Sequence, residues 1–204
     1  MLKIEFRPSL PEDVDEAVPL IFASGPSTFN YVFTNEKLTA IDFLKHAFPR
    51  KGGEFSFDNH YTLLLDKNII GIGSAFSGKR ASGFMFKEIL NIIRFYKFSA
   101  IPIMIRGLKV EGIIKPPKKN EIAIAHIAID EKVRSRGHGE KLINFLMTEV
   151  QKASSSSFVL DVSEENPRAQ QLYERMGFKV VKHILSRYKT NHGYVPNFYR
   201  MELK

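Results

Sequence analysis

The run Arg134-Ser135-Arg136-Gly137-His138-Gly139 constrains this chain more than any other. Before it lies Ile122-Ala-Ile-Ala-His-Ile-Ala-Ile129, apolar on both faces, which reads as a strand near the middle of a sheet. After it, Leu142, Ile143, Leu146, Met147 and Val150 fall on one stripe of an amphipathic helix. A buried strand, a bend with two glycines and a helix start form a natural anion site. Glycine lets main-chain amides come close, and the first turn of a helix offers unpaired N–H groups at a positive dipole end. Arg134 and Arg136 add full charge. The pattern is not a dinucleotide fingerprint, because position 142 is leucine where a third glycine belongs, and Gly-x-x-x-x-Gly-Lys-Ser/Thr is absent. A tight turn needing two glycines for its own geometry would carry the same letters, so the run alone leaves both readings open.

The rest of the chain supplies an α/β setting. Residues 2–7 alternate like a strand, and Pro11-Glu12-Asp13 opens a helix to about Ser24, with acids in its first turn. Gly25-Pro26-Ser27 breaks it, and Phe29, Tyr31 and Phe33 read as a loop before a helix at about 35–48. Residues 60–66 and 69–76 read as a hairpin turning at Lys67-Asn68. Ser154–Ser157 reads as a loop, Phe158–Val162 as a second buried strand, and 178–188 and 196–203 as the last strands. Between them, Pro167 to Met176 reads as a helix with proline at its first position and Gly177 just beyond its end. A single domain over 1–204 is expected, interrupted at about 77–120.

That interruption holds the chain's charge. The 30 Lys and Arg outnumber the 22 Asp and Glu by eight, and residues 77–120 carry ten bases against Glu88 and Glu111, so the whole excess sits there. Within it, Phe86, Ile89, Leu90 and Ile93 form a helical stripe, and 99–110 is apolar before a basic Pro-Pro loop at 115–120. Packing against the domain explains such a stripe. That is the leading reading, and a lid, a partner-docking surface or a membrane-surface patch is the sharper alternative. The absence of cysteine excludes a disulfide scaffold, a thiolate zinc site and a cysteine nucleophile, and no metal site is expected. No stretch approaches the ~20 apolar residues that span a bilayer, so a cytoplasmic location is expected.

A second motif gives the bend its meaning. Asn166-Pro-Arg-Ala169-Gln-Gln-Leu172-Tyr173-Glu-Arg-Met-Gly177-Phe178 begins 27 residues after Gly139. Together the two resemble the paired motifs of the GNAT superfamily of N-acetyltransferases, in order, in spacing and in the strand between them, over about 121–180. The resemblance implies a mixed, mostly antiparallel sheet of six to seven strands flanked by helices, with 77–120 as a basic helical insertion between the third and fourth strands. It implies acetyl-CoA as cosubstrate, lying where strands 122–129 and 158–162 splay apart. The main chain of Ile127, Ala128 and Ile129 would then meet the pantetheine arm. Arg134, Ser135, Arg136, Gly137, His138 and Gly139 would hold the pyrophosphate, and Asn166 would bond the pantetheine region, although capping the helix at Pro167 also accounts for it. Tyr173 would stand near the sulfur as general acid, although a core aromatic fits its stripe as well.

Acetyl transfer to an amine needs a free amine, donors for the oxyanion and a proton for the departing thiolate. With no cysteine to carry the acetyl group, direct transfer in a ternary complex is implied. The base is less defined. Ala123 occupies the position where some members carry a glutamate. Glu121 lies two residues earlier on the same face, His126 on the opposite face, and water-relayed deprotonation by Glu121 or a backbone carbonyl stands beside them. The resemblance places the acceptor against about 25–34 and 188–197, which brings forward Phe29, Tyr31, Phe33, Tyr188, His192 and Tyr194. The partners are then acetyl-CoA and an amine on a small molecule or peptide, with no nucleic acid and with room for a homodimer. A non-catalytic acyl-CoA-binding module is the alternative.

Overall fold

The computed structural model describes residues 3–151 and 157–204. In chain order they form β1 (Ile4–Pro8), α1 (Val14–Ala23), α2 (Pro26–Phe33), α3 (Ala40–Ala47), β2 (His60–Leu65), β3 (Asn68–Ser77), α4 (Gly78–Tyr96) and α5 (Ala100–Ile113). Then come β4 (Glu121–Ile129), α6 (His138–Gln151), β5 (Ser157–Ser163), α7 (Pro167–Arg175), β6 (Lys179–Ile184) and β7 (Phe198–Leu203). The strands make one sheet in the order β1-β2-β3-β4-β5-β7-β6. Every neighbouring pair is antiparallel except β4 and β5.

Both faces of the sheet are covered. On one, Leu142, Ile143 and Leu146 of α6 are fully buried against Ile122 and Ile124 of β4 and Phe158 and Leu160 of β5, and Tyr173 of α7 joins the same cluster. On the other, α1, α2 and α3 close over Ile72 and Ala128 around Phe29, Phe33, Phe43 and Phe55, and α4 and α5 extend this layer through Ile92, Tyr96 and Ile103. The alternation of β3 and β4 feeds both layers, which is why the 122–129 run is apolar throughout.

Several boundaries differ from the sequence reading. Phe29, Tyr31 and Phe33 lie on a helix, α2. Pro26 sits at its first position, where the missing N–H costs nothing, and Phe29 and Phe33, one turn apart, stack at 6.4 Å. The next helix starts at Ala40 rather than near 35. The Asn35 side chain accepts the N–H groups of Lys37 and Leu38 and holds a turn, and Thr39 then caps α3 in a reciprocal pair with Asp42. The hairpin turns at Asp66-Lys67, both left-handed (φ 48° and 70°), as a two-residue turn requires. Of the expected serine loop, 154–156 lie outside the described residues, and Ser157 already belongs to β5.

The insertion is helical, α4 and α5, between β3 and β4. Its neck is tight: a Cβ at Gly78 would run into the backbone of Lys118. The 86/89/90/93 stripe does not pack as core. Phe84, Asn91, Ile92 and Tyr96 face inward, while Phe86 and Ile93 face solvent.

Candidate active site

β4 and β5 pair only at Glu121–Ser157, Ile122–Phe158 and Ala123–Val159. Beyond Ala123 the strands diverge, while β4 stays paired with β3 to Ile129 and β5 with β7 to Ser163. Residues 124–129 therefore present a free edge to a gap. The Asp130 N–H bonds Ile70 O on β3, so the peptide groups of Ile129 and, two residues earlier, Ile127 point the other way, into the gap. Ala128 lies between them, paired with Ile72 and buried in the α1–α3 layer.

The 134–139 bend stands at the mouth of this gap. Ser135 (φ 66°) and Gly137 (φ 77°) are left-handed on either side of Arg136, and nothing lies within 4 Å of where a Gly137 Cβ would be. The first intrahelical bond of α6 runs from the Lys141 N–H to Gly137 O, so the preceding amides are unpaired. Residues 134–137 are exposed, with the side chains of Arg134 and Arg136 at the rim. Arg134 Nε donates to Ile129 O at 2.9 Å, and Arg168 of α7 donates to Ser135 Oγ, binding the bend to β4 and α7. A Cβ at Gly139 would press on Leu172 of α7 at 3.3 Å, so glycine there lets the start of α6 approach α7. His138 is buried beneath the bend with Nδ1 unpartnered among the described residues, and burial, then Lys141 and Arg136, hold it below the usual histidine range.

Asn166 caps α7, its Oδ1 accepting the Ala169 N–H at 3.1 Å, and its amide nitrogen stays exposed. Tyr173 is buried on the α6 side of the sheet, edge-on to Phe178 at 6.1 Å, with no hydrogen-bond partner for its hydroxyl among the described residues. Burial pushes that hydroxyl up to about 12, so it keeps its proton at neutral pH.

On the other face His126 departs from the alternation expected of it. It has φ 54°, and the β3–β4 register slips between Ile72 and Ser74, a bulge that gives β4 one extra residue. The bulge turns His126 onto the side of Ala123 and Ala125, where its ring meets Phe29 at 6.1 Å and Phe55 at 5.4 Å. Its Nδ1 lies 3.0 Å from His60 Nε2, and His60 Nδ1 lies 2.8 Å from Ser56 O. A carbonyl oxygen only accepts, so His60 carries its proton on Nδ1 and offers a lone pair at Nε2. His126 must then donate from Nδ1, which leaves its Nε2 as an acceptor. Burial pushes His60 down to about 4, and burial with the neighbouring His60 pushes His126 to about 3, so both rings are neutral.

His126 Nε2 faces Glu54 Oε1 at 3.8 Å. Glu54, in the loop before β2, had no sequence motif to mark it. Its side chain keeps 37% of its surface open to solvent, yet crowding by protein and then by Glu88 and Glu111 pushes its carboxyl up to about 8. Glu88 of α4 is raised to about 7 by burial, one oxygen accepting the Phe55 N–H and the other buried without a partner among the described residues. Glu121 is differently placed. Its carboxylate is held by Lys118, through the backbone N–H at 2.8 Å and Nζ at 3.0 Å. Burial works to raise its pKa, the Lys118 bonds outweigh it, and the net shift is downward. It sits where β4 and β5 are still zipped together.

Of the expected acceptor residues, Phe29 borders His126, whereas Tyr31 is buried and stacked on Tyr188 at 6.1 Å. Tyr194 lies outside, donating to Glu165 at 3.0 Å, and His192 pairs with Glu36 at 3.3 Å. Gly193 brings this turn against α2, where a Cβ would lie 2.6 Å from Tyr31 N. Ala123, Ala125 and the fully buried Ser74 of β3 leave the sheet surface beside His126 lined by small side chains.

The Acetyltransferase (GNAT) family profile matches residues 33–178. The chain belongs to the GNAT acetyltransferase family. An N-acetyltransferase from Staphylococcus aureus Mu50 superposes with TM-score 0.66 at 17% identity, covering 98% of this chain and 100% of that one. The yncA protein of Salmonella typhimurium, solved with its cofactor acetyl-CoA, superposes with TM-score 0.56 at 11% identity, covering 99% and 94%. These likenesses are of fold. A ribosomal protein bS18 alanine N-acetyltransferase from Haemophilus ducreyi is 29% identical over 62 residues, 30% of this chain, and the chain spans 43% of that relative's length.

Proposed function

We propose that this GNAT chain is a single-domain, acetyl-CoA-dependent N-acetyltransferase that acts by direct transfer to a primary amine. One observation carries the reading. Glu54 with His126 lies on one face of the sheet and Tyr173 on the other, positions suited to a proton acceptor and a proton donor flanking the β4–β5 gap. The stretch shared with an alanine N-acetyltransferase supports nitrogen as the acceptor atom.

The residues present fit acetyl-CoA. Unpaired amides and three arginines surround the 134–139 bend, and the free edge of β4 runs from it toward His126. Gly137 and the α6 amides would hold the diphosphate, the Ile127 and Ile129 peptides the pantetheine, and the free Asn166 amide would assist. When bound, acetyl-CoA supplies an acetyl thioester. Glu54 takes the ammonium proton, and its raised pKa makes it a better match for an amine than an ordinary carboxylate. His126 Nε2 accepts the remaining N–H and orients the amine, a role the Ser56–His60–His126 chain secures by fixing both tautomers. Tyr173 keeps its proton until the sulfur leaves. Glu54, Glu88 and Glu111 line the approach with potential negative charge, which favours an alkylammonium acceptor.

Free-thiol release from acetyl-CoA over a panel of alkylamines and peptides tests this. Amine-dependent release that Glu54→Gln abolishes is expected. Tight coenzyme binding with no release for any amine would instead make the chain a binding module.

A further inference from the structure

The insertion has a second face that the reaction does not use. Phe98, in the turn between α4 and α5, is fully exposed, and Phe86, Ile93, Ile101, Ile105 and Leu108 are also exposed along the two helices. Residues 98, 101, 105 and 108 follow helical spacing, so one side of α5 is an apolar stripe turned to solvent. These two consecutive helices pack on one another, and their other sides pack inward through Phe84, Ile92, Tyr96 and Ile103. Lys87, Arg94 and Lys97 are all exposed among the apolar residues. Soluble surfaces seldom carry so many large apolar side chains on one element without a partner.

We infer that the α4–α5 hairpin docks on an anionic phospholipid bilayer, with Phe98 and the α5 stripe entering the interface and the basic side chains meeting the headgroups. Two features select this occupant. The apolar residues project, with Phe98 standing clear of every neighbour, and a projecting knob suits a deformable interface. Charge selects against a second copy, since a face-to-face dimer would press together two segments of net charge +8. Basic residues beside an exposed apolar helical face give the attraction to anionic lipid that such faces show. The inner side of α5 packs on α2, with Arg106 donating to Thr34 O at 2.9 Å and Lys109 over the Tyr188 ring at 5.9 Å, so docking would set the acceptor cleft beside the membrane.

Cosedimentation of the intact protein with phosphatidylglycerol–phosphatidylcholine vesicles, against pure phosphatidylcholine, tests the inference. Binding to the anionic vesicles alone is expected, weakening as salt rises. The triple variant Phe98→Ser, Ile101→Ser, Leu108→Ser and, separately, Arg94→Glu with Lys97→Glu should each lower the vesicle partition coefficient about tenfold or more, with circular dichroism unchanged. No binding, equal binding to neutral vesicles, or binding unchanged in the variants would overturn it. So would a dimer by analytical ultracentrifugation that the triple variant dissociates, because the stripe would then belong to a second copy.

Discussion

At the scale of single residues, the arrangement around His126 makes the sharpest predictions. Glu54→Gln keeps the shape but cannot take a proton, so kcat should fall about 100-fold or more, while acetyl-CoA affinity by calorimetry stays within about twofold. Glu54 ionises late because desolvation by the protein crowded around it, then Glu88 and Glu111, disfavour its charge. Turnover should therefore rise with pH well above the ordinary carboxylate range. Glu88→Gln removes a neighbouring negative charge, so the same limb should move to lower pH. A limb that stays put would assign it to the amine rather than to Glu54. Tyr173→Phe should lower kcat at least about tenfold and affinity little, and collapsed affinity with surviving turnover would remove its role as acid. The sequence made Tyr173 and the 134–139 bend legible because both sit in spaced motifs. Glu54 was illegible: a lone glutamate in a Gly-Gly-Glu-Phe loop gains meaning only when β2, β4 and α4 converge on it. His126 was visible as a residue but not in its orientation, since a bulge reverses the period-two alternation from which facing is read.

At the scale of elements, glycines at two junctions decide the geometry. Gly137 has φ 77°, so Gly137→Ala should strain the bend and cost roughly 1 kcal/mol in denaturant melts, with a larger proportional loss of acetyl-CoA affinity. Gly78→Ala would push the neck of the insertion off Lys118 and loosen the Lys118–Glu121 clasp at the start of β4. Earlier cleavage within 77–120 in limited proteolysis is the expected sign, and an unchanged pattern would show that the neck has slack. The buried strands β4 and β5 and the α6 and α7 stripes followed from sequence because burial there is two-sided or strictly periodic. The insertion misled because an apolar stripe ordinarily means core, and the outward face of α4 carries just such a stripe. α2 reads as a loop in the sequence because Gly25-Pro26-Ser27 signals a break, although Pro26 is at the first position of the helix and the 29/33 pair reports it.

Across the whole molecule, protonation ties the site to stability. The unfolded chain takes up protons at ordinary histidine pKa values near ~6.5, whereas His60 and His126 resist to about 4 and about 3. Their contribution is present in full above pH ~6.5 and is lost as pH falls through that window, by up to about 1.4 kcal/mol per pH unit for each ring. The gap in urea midpoint between the protein and its His126→Gln variant should therefore narrow as pH falls from 6.5 to 4. Glu54 acts with the opposite sign, its folded pKa lying above the ordinary value, so it subtracts stability as pH rises toward 8. Amide hydrogen exchange with and without acetyl-CoA probes the coenzyme site and the strand edge together. Slowed exchange confined to 124–129 and 135–140, with the paired β1 and β2 strands unaffected, is the predicted result. Unchanged exchange in both segments, or protection elsewhere, would contradict the account.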